Sequence, residues 1–272
     1  MAMETIYKQK DDMLIIAGKK FSNRLLIGTG KFKHKPEVTK SIKASGAEIV
    51  TVALRRIDEQ INEENILEYI PKGITLLTNT SGARNAQEAV RIARLARECG
   101  CGNWVKIEVI NDSKYLLPDN VETIKATELL VSEGFVVLPY MFPDIYTARA
   151  LVKAGAATVM PLGSLIGSMQ GLRLKEAIRI IINEIDVPVI VDAGIGSPSQ
   201  AAEAMEMGAD AILVNTAIAT ADNPAAMAEA FSLAITAGRI AYLNHAPEAI
   251  LTAKASSPLT GFLFEQENKT KE

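Results

Sequence analysis

Eight short apolar runs, each followed by a stretch with helical spacing, constrain this chain more than any other feature. They span residues 25–29, 49–54, 75–79, 104–110, 135–140, 158–162, 187–193 and 211–216. Each is apolar nearly throughout, as parallel strands covered on both faces require, whereas a half-solvated sheet would alternate. Between them, ARNAQEAVRIARLAREC from Ala83 puts Ala86, Val90, Ala93 and Ala96 on one stripe with Arg and Glu opposite. Gly46, Gly100, Gly134, Gly155 and Gly208 stand where such helices would end, since glycine enters the left-handed conformation without a Cβ penalty. Eight strands alternating with about eight helices is the arithmetic of a single closed (βα)8 TIM barrel, an α/β fold. An open doubly wound sheet is the alternative, but GTG at 28–30 lacks the third glycine of the dinucleotide fingerprint.

No Pro- or Ser-rich linker divides the chain, so residues 13–264 are read as one barrel domain, with 1–12 as an N-terminal extension. The charged segment 265–272, EQENKTKE, has no apolar period and is expected to be disordered. MLIIAGKKFSNRLLIGTG reads as two apolar runs joined by a Gly-Lys-Lys turn, hence an N-terminal β-hairpin capping the barrel bottom. With aromatics at 5% and one Trp, packing must rest on Ala, Ile, Leu and Val, small enough for helices to lie close to a sheet.

Composition also excludes function classes. A net charge of −3 and no basic run beyond KFKHK at 31–35 argue against nucleic acid. No apolar stretch approaches the ~20 residues that span a bilayer, and MAMETIYKQKDD carries acidic residues before any apolar run, so a soluble, cytoplasmic protein is expected. Cys99 and Cys101 are poorly spaced for a mutual disulfide and too few for a structural zinc, and they are read as helix-end packing residues. His34 and His245, the only histidines, have no nucleophile motif nearby and are read as surface or packing residues.

In a barrel of this kind the strand C-termini form the active face. In WVKIEVI, Val105, Ile107 and Val109 point one way, and Lys106 and Glu108 point the other, into the barrel. A satisfied internal ion pair would be the purely structural account. The functional account is an amine nucleophile: a desolvated lysine has a lowered pKa, can be neutral near pH 7 and attacks a ketone to form a Schiff base. Asp192 ends the run VPVIVD, and Ser197 with Pro198 are better cap and first-turn residues for the next helix, which leaves its carboxylate at the mouth. Glu108 and Asp192 around one lysine suit proton transfer at carbons next to an iminium. Gly163, Gly167 and Gly171 after the sixth run, Gly194 and Gly196 after the seventh, and Asn215 with Thr216 ending the eighth suggest a phosphate site. Equally, such glycines permit the tight turns any barrel needs. Arg55 and Arg56 end the second run, where either a substrate-guiding or a structural role fits.

Long stretches carry a closer resemblance. LLIGTGKF at Leu25, LTNTSGARNAQEAVRIARLARE at Leu77, VKIEVINDSKYLLPDNVET at Val105, VVLPY at Val136, VMPLGSLIGS at Val159, VIVDAGIGSPSQAAEAMEMGADAILVNTAIA at Val189 and ASSP at Ala255 cover nearly the whole barrel. In them the chain resembles the thiazole synthase (ThiG) family, enzymes that make the thiazole phosphate of thiamine. The resemblance implies that Lys106 is the Schiff-base lysine, that Glu108 and Asp192 are acid-base groups, and that Gly167, Ala193, Gly194, Asn215 and Thr216 contact the sugar phosphate. It further implies 1-deoxy-D-xylulose 5-phosphate as the ketose and sulfur from the C-terminal thiocarboxylate of a small ubiquitin-like sulfur-carrier protein. Dehydroglycine would come from a separate enzyme, the protein would be a homo-oligomer, dimer or tetramer, and no metal or organic cofactor would be needed. Leu165 and Met169 stand where many relatives carry Pro and Gly, and Leu174 where Asn is frequent, changes that bear on loop shape and phosphate affinity. Two rivals are a Schiff-base aldolase-type barrel acting on a phosphorylated ketose without a carrier, and a non-catalytic barrel that binds phosphate ligands.

Overall fold

The computed structural model describes residues 12–53, 65–245, 252–253 and 256. Arg55, Arg56, most of the N-terminal extension and the charged C-terminal segment lie outside these described residues.

Each of the eight apolar runs coincides with one barrel strand, the fifth strand extending one residue past its run. After a hairpin of β1 (Leu14–Ile16) and β2 (Lys19–Phe21) come β3 (Leu25–Gly28), β4 (Ile49–Ala53), β5 (Thr75–Asn79), β6 (Trp104–Ile107), β7 (Val136–Met141), β8 (Met160–Pro161), β9 (Ile190–Asp192) and β10 (Ala211–Val214). They pair in parallel in the order β8-β7-β6-β5-β4-β3-β10-β9. Bridges from Val159 to Val189 and from Leu162 to Asp192 join the two outer strands and close the ring. Most strands stop short of their apolar runs at the C-terminal end, where the chain leaves the ladder to build loops. Beyond β6 the Ala83 to Val109 bridge still holds the next residues in register.

Outside the ring lie α1 (Pro36–Ser45), α2 (Ala86–Glu98), α3 (Asn120–Ser132), α4 (Ile145–Lys153), α5 (Lys175–Glu184), α6 (Pro198–Glu206), α7 (Thr216–Ala219) and α8 (Pro224–Leu243). Between β4 and β5 the described residues form only a 3-10 turn, Ile66–Tyr69, and the last unit carries two helices, so the count of eight does not follow one helix per strand. The small-residue stripe of α2 behaves as its spacing dictates: Ala86, Ala89, Val90, Ala93 and Ala96 are buried. The Asn85 side chain caps this helix by accepting from the Glu88 N–H at 2.9 Å. The five helix-ending glycines all adopt positive φ. Cys99 is exposed just past α2 and Cys101 is buried; His34 and His245 are exposed. Among the described residues no helix is long and apolar enough to cross a membrane.

The hairpin differs in its turn. Ala17 (φ 47°) and Gly18 (φ 78°) make it, both left-handed as tight two-residue hairpins require, while Lys19 and Lys20 belong to β2. Leu14, Ile16 and Phe21 pack into the cluster of inward residues that includes Leu26, Ile49, Leu77, Leu138, Met160 and Ile190. The Phe21 ring meets Trp104 edge-on at 5.8 Å. Lys19 Nζ donates to Thr75 Oγ1 at 2.7 Å, on the first residue of β5, so the hairpin plugs the N-terminal end of the barrel. Only the opposite end is left for a ligand.

Candidate active site

That opposite end holds a cavity of about 630 Å³, lined by Lys106, Glu108, Asp192, Gly167, Ala193, Gly194, Asn215 and Thr216. These are the eight residues to which the resemblance assigns roles, brought together from four separate segments, whereas Gly163, Gly171 and Gly196 are not among the lining residues. Its floor is set by β6 and β9. Val105, Ile107 and Val109 pack outward among α2 and α3 residues such as Ala89, Ala93, Ala126 and Leu130. Alternation then drives Lys106 and Glu108 inward, where they are 5% and 8% exposed, facing Asp192 at 2%.

Lys106 Nζ is in direct ionic contact with Asp192 Oδ2 and lies 3.7 Å from Glu108 Oε2. Glu108 Oε2 also accepts from Asn79 Nδ2 at 3.1 Å. Thr80 pins the Glu108 backbone, its Oγ1 accepting from the Glu108 N–H at 2.8 Å and donating to the Glu108 carbonyl at 3.1 Å. Burial disfavours the Lys106 ammonium, but the carboxylates of Asp192 and Glu108 outweigh that penalty, so its pKa is raised. The expectation of a lowered lysine pKa is therefore corrected: desolvation alone would lower it, but two facing carboxylates favour the ammonium. Burial pushes the Asp192 carboxyl above the usual carboxylate range despite the opposing pull of Lys106. An ammonium touching a carboxylate of raised pKa is a short path for moving one proton.

The upper wall is built from strained backbone. Six described non-glycine residues have positive φ, and four of them, Lys31 (65°), Leu116 (54°), Met169 (55°) and Ala193 (64°), line this cavity. Such conformations cost about 1–3 kcal/mol each and cluster where function demands a backbone path that packing alone would not choose. Gly194 (φ 79°) is required by space as well, because a Cβ there would lie 2.6 Å from the Ser164 nitrogen. In the orientation that satisfies its hydrogen bonds, the Asn215 amide nitrogen donates to the Gly28 carbonyl at 3.0 Å and the Gly30 carbonyl at 2.6 Å. The Asn215 side chain is thus committed to holding the GTG turn against β10. A Cβ on Gly28 would meet Asn215 Cβ at 2.6 Å, so that glycine serves close strand packing.

Of the departures in the loop after β8, Met169 presses against Gly196, where a Cβ would come within 2.5 Å of Met169 Cβ. Leu174 precedes α5 without a side-chain cap and packs on the core instead. Leu165 is half-buried, its carbonyl accepting from Ser168 N–H at 3.0 Å.

Several residues of this site were not picked out by sequence reasoning. Tyr140 is 1% exposed, its ring centroid 5.2 Å from Lys106 Nζ, and its hydroxyl finds no hydrogen-bond partner among the described residues. Burial, reinforced by Asp192 and Glu108, raises its pKa and keeps it a neutral phenol. It stands two residues after the inward Leu138, so period-two counting along β7 would have found it. Lys31 lines the mouth but sits within KFKHK, which reads as a solvated run; Asn79 ends β5 as Asp192 ends β9. Among the described residues no group of three or more His, Cys, Asp or Glu side chains is placed to hold a metal ion.

Comparison with known proteins meets this geometry. A family model described as thiazole biosynthesis protein ThiG matches residues 15–258. The thiazole synthase of Pelotomaculum thermopropionicum is 65% identical over 253 residues, 93% of this chain and 99% of that protein. That of Acetivibrio thermocellus is 64% identical over 253 residues, with the same coverage of both. Among solved structures, a chain of the Amycolatopsis orientalis BexX/CysO complex superposes with a TM-score of 0.78 at 34% identity, covering 88% of this chain and 98% of that one. With a barrel closed around a buried lysine and its carboxylates, and a family match running through nearly all of that barrel, the chain belongs to the ThiG family, the thiazole synthases of thiamine biosynthesis.

Proposed function

We propose that this ThiG-family enzyme holds 1-deoxy-D-xylulose 5-phosphate as an imine on Lys106 and builds the thiazole phosphate from it. The observation that carries the reading is one buried amine between two carboxylates on the floor of a ligand-sized cavity. Lys106 passes its proton to Asp192, and the neutral amine adds to the C2 ketone. The carbinolamine takes up a proton at its hydroxyl, loses water and becomes the imine. Glu108 and Asp192 then take a proton from the adjacent carbon and return one, shifting the carbonyl along the chain. Sulfur enters from the C-terminal thiocarboxylate of a small ubiquitin-like carrier protein. Dehydroglycine from a separate enzyme condenses last and closes the ring.

Gly167, Ala193, Gly194, Asn215 and Thr216 would lie around the phosphate, with Ala193 and Gly194 at positive φ turning their backbone toward the mouth. The carrier's tail would enter at that same C-terminal mouth, since the hairpin fills the other end. Support for a protein partner comes from the similar BexX chain, solved together with CysO.

The test is mass spectrometry after incubation with 1-deoxy-D-xylulose 5-phosphate and borohydride. A reduced adduct confined to the peptide holding Lys106 is expected, and a Lys106→Ala control should lack it. Adding thiocarboxylated carrier and dehydroglycine should then give thiazole phosphate, which an aldolase-type barrel would not produce. A folded protein that forms no adduct on Lys106 overturns the reading.

A further inference from the structure

Charge around the cavity is unevenly committed. Among the described residues three cations line it: Lys106, Arg84 and Lys31. Lys106 is neutralised by Asp192 and Glu108, and Arg84 turns to Glu88 on α2 at 3.0 Å. Lys31 alone has no carboxylate within ion-pair distance among the described residues. Its placement is specific. It follows β3 at a φ of 65°, a conformation a lysine adopts at a cost, and its side chain reaches the loop after β8. A Cβ built on Gly167 would lie 2.9 Å from Lys31 Nζ and 3.8 Å from Thr216 Oγ1. The ammonium, the Gly167 backbone and the Thr216 hydroxyl therefore share one spot on the wall. Gly167 lacks a side chain where the ammonium sits, at a φ of 73° that also favours glycine. In the ring order, β6 with Lys106 stands across the barrel from β10 and β3, so this spot and the reactive amine occupy opposite walls.

We propose that Lys31 is a specificity-determining residue that recognises the phosphate of the ketose and sets the preference for phosphorylated over unphosphorylated substrate. The inference rests on the imine reading above, and it adds a side chain to a subsite otherwise made of backbone and a hydroxyl. A phosphate dianion brought into a partly desolvated cleft needs a countercharge, and a lysine supplies it as a point charge on a flexible stem. The other end of the same molecule then reaches the opposite wall, where its ketone meets Lys106.

The experiment measures borohydride trapping on Lys106 across a concentration series, with 1-deoxy-D-xylulose 5-phosphate and with unphosphorylated 1-deoxy-D-xylulose, in wild type, Lys31→Gln and Lys31→Arg. Lys31→Gln should raise the half-saturating concentration of the phosphorylated ketose about tenfold, with less dependence on salt. Its maximal trapping rate and its response to the unphosphorylated ketose should match wild type, and Lys31→Arg should recover most of the loss. An unchanged half-saturation for the phosphorylated ketose overturns the inference, as does an equal loss for both ketoses, which would mark a merely structural role. If wild type itself forms no adduct, the imine reading has failed instead. Inorganic phosphate then decides the matter for Lys31, which it should protect from acetylation at concentrations that leave Lys33, exposed as Lys31 is, fully reactive; equal reactivity of both with and without phosphate overturns the inference.

Discussion

Replacing Glu108 by Gln should make Lys106 a better nucleophile and the enzyme a worse catalyst. The amide keeps the shape of the side chain and an oxygen for Asn79 Nδ2, which now donates to Glu108 Oε2 at 3.1 Å. What disappears is a negative charge 3.7 Å from Lys106 Nζ. At an effective dielectric of about 20, that contact is worth about 4–5 kcal/mol. Part of it returns through the amide dipole and local relaxation, and the remainder lowers the Lys106 pKa. Burial, the largest single influence on Lys106, is then opposed by Asp192 alone. Competitive acetylation of Lys106 against pH, read by peptide mass spectrometry, measures the midpoint directly through the cavity mouth. Below the midpoint the neutral fraction, and with it imine formation, should rise, while thiazole formation falls because one proton carrier is gone. Stability must follow the same sign. In wild type the raised pKa contributes stability that is present below the unfolded lysine value of about 10.4 and is lost as pH rises through the folded one. In Glu108→Gln that contribution shrinks, so the gap between the two proteins in urea should narrow as pH climbs through the alkaline range. An acetylation midpoint unchanged or raised by the substitution would refute the electrostatic account.

Tyr140→Phe removes a buried hydroxyl that has no partner among the described residues and keeps the ring beside Lys106, so thermal unfolding should be unchanged or stabilised by up to about 1 kcal/mol. A clear loss would reveal a bond made by that hydroxyl. Phe21→Ala opens the plug at the barrel bottom and should cost about 3–5 kcal/mol in urea unfolding; a cost under about 1 kcal/mol would mean the hairpin seals nothing. Gly194→Ala faces both a positive φ and the Ser164 backbone, so it should lose at least about 2 kcal/mol and weaken trapping of the phosphorylated ketose. Wild-type behaviour in both assays would show that the loop relaxes freely.

The barrel was legible because its rule is local and repeated. An apolar run of five residues before a glycine-ended helix means the same thing wherever it stands, and eight repeats leave little choice of closure. The floor of the site was legible for a related reason: strand alternation is obligatory, so packing Val105, Ile107 and Val109 against helices forces Lys106 and Glu108 inward. The charge state of Lys106 was not legible, because the sequence groups both carboxylates with it without fixing how closely they approach, and that closeness decides whether they outweigh burial. Burial read alone predicts a neutral amine, whereas burial with two facing anions predicts an ammonium. The hairpin turn was misjudged for a smaller reason. Lys19 and Lys20 read as turn residues by polarity, yet Ala17 and Gly18 take the left-handed pair.

The mouth shows where sequence rules stop. Strand and helix signals describe residues in their preferred conformations, but Lys31, Leu116, Met169 and Ala193 occupy conformations that none of them prefers. Leu116 is held locally, its N–H donating to the Asp112 carbonyl at 3.2 Å, but the other three sit against partners distant in sequence. The Gly28–Gly30 turn leading to Lys31 is fixed by Asn215, and the loop carrying Met169 rests on Gly196. A glycine count sees the permissive residues and misses the constrained ones, which is why Gly167 and Gly194 were found and Lys31 was not. The same asymmetry has a functional side. Backbone that glycine allows can wrap any anion, but a lysine at positive φ with its amine beside Gly167 adds a charge at one point of the mouth, and a point charge can discriminate where backbone alone does not.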